Sequence, residues 1–366
     1  MKILFWVPYP SEGASNRYRV EQYLPFLKKE AIKFSLHPFW TKSAYKVLYR
    51  NGYYFRKFFF FFAGILFRTI DVFSIFRYDV VFIHREACPV GSAFFESAAF
   101  FLGREVIFDF DDAIFLPSSS RCNNFVEKFK NPGKVATIIK KSKYVICGNS
   151  FLADFSLRYN PSVVIIPTPI DTTKYSPMIA TDNRPTIIGW MGSATTLDFL
   201  DPMKNVFTVL SSLFNDVEFK IIGGAFLIPG LSRVRSKSWS FADEIDDLRS
   251  MDIGIMPMPD NDWTRGKCGF KAILYMSMGI PCVCSPVGMN KEIIINGSNG
   301  FLATTQEDWV EKLSLLIKDS ALRRKLGNAG RKTVEERYSL KANAQKYLEV
   351  LKNCKKVNCK RYGRHS

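Results

Sequence analysis

The 366-residue chain is 47% hydrophobic and 23% charged, ordinary globular proportions for about two domains with sizeable cores. Its net charge of +17 points to nucleic acid, an anionic membrane or phosphorylated substrates as partners. Eight scattered cysteines without a C-x-x-C pair, and only three histidines, argue against a structural zinc site and fit reduced thiols in a cytoplasmic protein.

In chain order, the N-terminus MKILFWVPYP has too short an apolar run for a signal peptide and reads as a first buried strand. Further strands are expected at 33–37, 79–84, 105–109, 143–147 and 162–166, with helical segments between them, the signature of parallel α/β layers. The loop after the first strand, PYPSEGASNRYRV, offers Gly13 for close backbone approach to a ligand and Ser15 or Asn16 as a helix cap. Arg17 and Arg19 follow as bidentate partners for phosphate. Between Glu30 and Asp71 there is no acidic residue, but there are Lys33, Lys42, Lys46, Arg50, Arg56, Lys57 and Arg68. The apolar block 58–67, FFFFFAGILF, falls short of the roughly 20 residues that span a bilayer. It reads either as a buried helix or as an interfacial helix on an anionic membrane. His84-Arg85-Glu86 ends one expected strand, and a histidine there is poised for proton transfer near neutral pH. Asp109-Phe110-Asp111-Asp112 ends the next. These carboxylates repel one another, so a metal, an arginine or a network of sugar hydroxyls must offset them. The segment 166–177, rich in Pro and Thr, reads as an interdomain linker.

A second α/β set begins after Arg184, with strands at 186–191, 217–222, 252–257, 281–285 and 300–303. Gly192 and Ser193 follow the first of these and suit backbone and hydroxyl contacts to phosphate. Residues 197–213 read as one helix from the spacing of Leu200, Met203, Val206, Phe207, Leu210 and Leu213. Trp239, Phe241 and Glu244 follow the second strand, where an aromatic can stack on a base. Helices are expected at 306–318 and 320–337, the latter broken or kinked at 328–331. A last helix starts near Ser339, a good N-cap, and leads into a basic tail. Neither half has a G-x-G-x-x-G after its first strand, which counts against an oxidoreductase.

Residues 260–300 carry the densest pattern. Arg265, Lys267 and Lys271 run into an apolar helix whose N-terminus adds partial positive charge, an arrangement suited to a phosphate or diphosphate. Lys267 and Lys271, four apart, are expected on one face. Gly279-Ile280-Pro281 ends that helix, an apolar strand leads to Ser285-Pro286-Val287-Gly288, and Glu292-Ile293 leads to Asn299-Gly300. In order and spacing these motifs resemble the C-terminal half of glycosyltransferases of the GT-B fold, family 4 type, the group 1 glycosyltransferases. The resemblance is strong over 186–340 and weaker over 1–170.

That resemblance implies an α/β chain with two Rossmann-like domains facing across a cleft. The acceptor-side domain would cover 1–168, a linker 169–185 and the nucleotide-sugar domain 186–338. Residues 339–366 would form a helix crossing back to the first domain, with its basic tail. The implied activity is transfer of a sugar from a nucleotide-sugar to a glycan or lipid-linked acceptor. It would proceed with retention and without cofactor or required metal, in surface polysaccharide or lipopolysaccharide synthesis. The implied place is the inner face of the cell membrane, peripherally bound through anionic lipid, with no nucleic acid partner. His84, Asp111 and Lys271 are the catalytic candidates. Gly13, Gly192, Ser193, Lys267, Lys271, Trp239 and Glu244 are the donor-binding candidates. Arg17, Arg19, Arg85, Glu86, Asp109 and Asp112 are the acceptor-binding candidates. The chain departs from the family at its E-x7-E motif, where Gly266 and Leu274 stand. It also lacks the usual arginine and lysine in the loop after residue 191, whose charge Lys267 and Lys271 are expected to supply. The rival readings are a non-catalytic basic module on membrane or nucleic acid, and another enzyme of the same fold, such as a sugar-nucleotide epimerase or a phosphorylase.

Overall fold

The structure is a computed structural model that describes residues 1–117, 129–177 and 184–356. The chain forms two compact units, one of Met1–Pro169 together with Asn343–Ser366, the other of Ile170–Ala342. Each is built on a six-stranded, wholly parallel sheet, in keeping with the α/β class expected from sequence.

The first unit contains β1 (Lys2–Val7), β2 (Lys33–Pro38), β3 (Val80–His84), β4 (Glu105–Phe110), β5 (Tyr144–Cys147) and β6 (Val163–Ile165), in the order β2-β1-β3-β4-β5-β6. The central strands read as unbroken apolar runs because both sheet faces are covered; Ile3 through Val7 and Val80 through Ile83 are fully buried. From β1 the chain moves to one side, then to the other. The connections therefore diverge at the carboxyl ends of β1 and β3, which is where open parallel sheets bind ligands. The final helix, Leu340–Lys356, completes this unit from Asn343 onward. Tyr347 stacks flat on Tyr23 at 3.9 Å, and Lys352 and Lys355 pair with Glu30 and Asp79. Ser339 caps the helix as expected, its hydroxyl accepting from the Ala342 N–H at 3.0 Å.

The second unit contains β7 (Thr186–Met191), β8 (Val217–Ile222), β9 (Val234–Lys237), β10 (Ile253–Met256), β11 (Cys282–Cys284) and β12 (Phe301–Leu302), in the order β12-β11-β10-β7-β8-β9. Its direction reverses between β7 and β10.

Four local expectations are corrected. Strand β9 is missed by the sequence reading because VRSK is short and mostly polar, as an edge strand can be. The segment 197–213 is a 3-10 turn, Ala194–Leu200, followed by an α-helix, Met203–Leu213; Pro202 stands at the boundary, where a missing N–H costs nothing. The helix Ser320–Thr333 runs unbroken through 328–331 and passes into a π-helical turn, Val334–Tyr338. Its glycines serve packing: a Cβ on Gly327 would collide with the Gly279 carbonyl, and one on Gly330 would lie 3.1 Å from Met276 Cγ. Finally, the phenylalanine block belongs to a helix of 21 residues, Tyr54–Ser74, so the length argument against a membrane span fails. Residues Tyr54–Arg77 are long and apolar enough to cross a membrane by length and composition. The buried-helix reading fails too, because Phe55, Phe58, Phe59, Phe62, Phe67 and Phe73 are exposed. Arg68 and Asp71 face inward instead. Arg68 stacks on Trp6, pairs with Asp71 at 3.0 Å and donates to the carbonyls of Val7, His37 and Ala87. Burial pulls the Arg68 pKa down to about 10, against the neighbouring Asp71 and Glu96, which favour the charge.

Candidate active site

At the carboxyl ends of β1, β3 and β4 the first unit gathers a polar cluster inside an apolar surround. The parallel register sets His84, the last residue of β3, beside Asp109 of β4. His84 Nδ1 lies 2.6 Å from Asp109 Oδ2, and Nε2 lies 2.5 Å from Ser15 Oγ on the helix Ala14–Arg19. Arg19, on the same helix, forks onto Asp109 and donates to the Ile166 carbonyl at 2.6 Å. His84, Asp109 and Arg19 are buried. Arg85 continues β3 in the left-handed region at φ 61°, a strained setting for an arginine. The strain is held by its N–H donating to the Asp109 carbonyl at 2.6 Å and by its guanidinium spanning Asp111 (2.7 Å) and Asp112 (2.6 Å). Burial alone would raise the Asp111 pKa; Arg85, His84 and Arg19 override it and hold the carboxyl well below the usual range.

Of the three ways left open for offsetting the aspartates, the structure uses arginine. Arg19 and Asp109 are corrected as acceptor contacts, because each is spent on the other inside the core. Arg85 is paired with Asp111 and Asp112, and Glu86 with the buried Lys134 at 2.8 Å. Arg17, half-buried, lies over the Tyr18 ring at 5.4 Å. Gly13 precedes the helix and packs on Tyr9, where a Cβ would sit 2.5 Å from Tyr9 Cβ. Neither Ser15 nor Asn16 caps that helix; Gly13 occupies the cap position. Ser15 is the residue whose importance the sequence hides, since 69 residues separate it from His84.

In the second unit the switch between β7 and β10 brings Gly192 and Lys271 together. Lys271, on the helix Phe270–Ser277, holds its ammonium 5.2 Å from the centre of the Trp190 ring. A Cβ on Gly192 would lie 2.8 Å from Lys271 Cε and strike Trp190, and one on Gly223 (φ 132°) would strike the Gly192 carbonyl. Only glycines permit this approach of backbone, ring and lysine. Tyr275 fixes the loop from below, its hydroxyl accepting from the Met191 N–H at 2.8 Å. Ser193 is exposed beside it, 2.7 Å from the Thr195 hydroxyl.

One donor expectation is corrected, and the neighbours of the other residues are as follows. Lys267 and Lys271 do not share a helical face: Lys267 precedes the helix, separated from it by Gly269 in the left-handed conformation, and lies over Trp263 at 5.2 Å. Arg265 is paired with Asp260 and Asp262 on the surface. Trp239 follows β9 and donates its Nε1–H at 2.8 Å to Glu244, which also accepts from the Tyr175 hydroxyl, so Glu244 clamps its own unit. Both Trp190 and Tyr275 were readable from sequence only as strand and helix core.

Residues 248–333, which include Lys267, Lys271 and the glycine turns around them, match the family model for glycosyl transferases group 1. No curated protein matches the chain by sequence. Among solved structures it is similar to Anabaena HepE crystallised with UDP and glucose, at 14% identity and a TM-score of 0.68, covering 96% of this chain and 100% of that one. It is similar to a glycosyltransferase from Rickettsia africae, at 18% identity and 0.67, covering 97% and 98%. Sucrose-phosphate synthase from Thermosynechococcus elongatus follows at 13% and 0.66, covering 96% and 98%. The fold is therefore the GT-B fold, and the glycosyltransferase reading of the sequence is supported by the matched domain.

Proposed function

We propose that the protein moves a hexosyl group, with retention, from a uridine diphosphate sugar to a glycan or lipid-linked acceptor in surface polysaccharide or lipopolysaccharide synthesis. The observation that carries this reading is the Gly192–Trp190–Lys271 arrangement at the switch point of the second sheet. Departure of a nucleoside diphosphate develops negative charge on its oxygens. A cation already held in place beside a close backbone loop stabilises that charge without reorganising. The aromatic ring fixes Lys271 while leaving its charge intact. The similar HepE structures were obtained with UDP and with UDP-glucose, which favours uridine as the base. Lys271 and the Gly192 loop would meet the diphosphate. Lys271→Ala is expected to lower kcat/KM for sugar transfer by about 10²–10³-fold with the fold intact. UDP-hexoses are expected to raise the melting temperature of the wild type, and to be hydrolysed slowly without an acceptor. A protein that neither binds nor turns over any nucleotide-sugar would instead be a non-catalytic module.

We place this enzyme peripherally on the inner face of the membrane. The outward face of the helix Tyr54–Ser74 is apolar and the cations Arg50, Arg56 and Lys57 adjoin it, a complement to an anionic bilayer. Arg68 and Asp71 tie its other face to the first sheet, which favours a helix lying on the membrane over one crossing it.

A further inference from the structure

We infer that a groove of the first unit, between the ends of the helices Phe94–Phe101 and Lys134–Lys141, binds the headgroup of one phosphatidylethanolamine molecule of the membrane. The inference rests on the membrane placement proposed above and on nothing in the transfer reaction. The groove holds about 630 Å³, within the usual range of small-ligand pockets, and its lining includes Phe100, Phe101, Arg104, Glu105 and Lys141. Gly103, at φ 66°, ends the first helix with a left-handed turn that leads directly to Arg104 and Glu105 at the start of β4.

The charges around this groove are unanswered. Among the described residues Arg104, Glu105 and Lys141 form no ion pair, and the buried Nε of Arg104 has no hydrogen-bond partner. Glu86 with Lys134 and Arg68 with Asp71, in the same unit, are paired. Arg104 lies 5.8 Å from the centre of the Phe76 ring and donates to the Tyr78 carbonyl at 3.4 Å; Lys141 lies 5.8 Å from the centre of the Phe100 ring. Two cations held on aromatic rings, one with an orphaned N–H, suit a phosphodiester. The negative side of the groove selects which one. Glu105 stands beside the cations, and both helices end here, each adding partial negative charge from its last carbonyls. These repel a purely anionic headgroup. Phosphoethanolamine sets its phosphate by Arg104 and Lys141 and its ammonium by Glu105, and a primary ammonium donates to that carboxylate where a choline has no N–H to give. The lipid tails have a path to the bilayer. Phe101 is 90% exposed at the groove, and the exposed Phe76 and Phe73 continue from Arg104 onto the apolar face of the helix Tyr54–Ser74, which packs on the helix Phe94–Phe101.

The test titrates the full chain calorimetrically with dihexanoyl phosphatidylethanolamine below its micelle concentration, so that no bilayer is present. Saturable binding is expected, about tenfold or more tighter than that of dihexanoyl phosphatidylglycerol, dihexanoyl phosphatidylcholine, free phosphoethanolamine or inorganic phosphate. Arg104→Ala and Lys141→Glu should each weaken it by about tenfold or more, and Glu105→Gln should remove the preference over phosphatidylglycerol. Lys141 is exposed, so Lys141→Glu keeps the test should Arg104→Ala fail to fold. No saturable binding, binding untouched by Lys141→Glu, or equal binding of phosphatidylglycerol or phosphatidylcholine would overturn the inference. Equal binding of inorganic phosphate or phosphoethanolamine would overturn it in favour of a site for soluble phosphates. Co-sedimentation of the wild type with anionic vesicles lacking phosphatidylethanolamine reads the membrane placement separately. No co-sedimentation would remove that placement, and with it the source of the lipid; co-sedimentation without binding of the short-chain lipid would remove the site alone.

Discussion

At Asp111, burial and charge pull in opposite directions, and charge wins because Arg85 reaches across from the end of β3. The consequence has a definite sign. A carboxyl held below its unfolded value contributes stability that is fully present above about pH 4 and is lost as the pH falls toward its folded-state value. The melting temperature should therefore drop steeply below about pH 4, and Asp111→Asn should flatten that part of the profile; an unchanged slope would place the acid sensitivity elsewhere. The same pairing bears on metals. Because Arg19 and Arg85 already occupy these carboxylates, we expect EDTA to leave transfer activity intact. Activity lost to EDTA and restored by Mn²⁺ or Mg²⁺ would mean that the arginines give way to a cation. The sequence made the need for a counter-charge plain, since the aspartates are adjacent. It could not say which arginine answers, because Arg19 lies 90 residues from Asp109 and only the packing of its helix against the sheet brings them together.

Among the elements, the helix Tyr54–Ser74 inverts the usual arrangement, with its ion pair inside and its aromatic face outside. Such a contiguous apolar face on a soluble surface marks an interaction site. Each cation close to an anionic leaflet contributes about 1 kcal/mol, screened by salt, and inserted phenylalanines add a part that salt does not remove. Changing Arg50, Arg56 and Lys57 to Glu should weaken co-sedimentation with anionic liposomes by at least about tenfold while sparing activity on a soluble acceptor. Phe58→Ser with Phe62→Ser should remove the salt-resistant remainder. Equal binding to neutral and anionic vesicles would reject the electrostatic half of this reading. Sequence periodicity failed here because phenylalanine occupies every position from Phe58 to Phe62, which leaves no stripe to read. It succeeded at every strand of the two sheets except the polar edge strand β9, because covered faces demand short apolar runs bounded by turns.

For the molecule as a whole, the alternation of short apolar runs with helices was enough to read two parallel sheets, and the motifs from Gly279 to Gly300 were enough to read the domain that residues 248–333 match. The polar clusters were less legible. Residues meet at the switch points through connections of many tens of positions, so Ser15 with His84, or Gly192 with Lys271, leaves no local trace.

The stacking of Tyr347 on Tyr23, with the ion pairs from Lys352 and Lys355, also sets an order of events during synthesis. The first unit emerges from the ribosome without its last helix, and the whole of Ile170–Ala342 follows before that helix appears. At about 5–20 residues per second this interval lasts roughly 10–35 s. Throughout it, the site later covered by Tyr347 and Leu351 stays open, an apolar surface that a nascent-chain chaperone can hold. A chain ended after Ala342 should be arrested in that condition, digested within Met1–Pro169 by a protease that spares the full chain. Adding a peptide of residues 343–366 should restore its resistance, and protection of the truncated chain without the peptide would show that the unit closes alone.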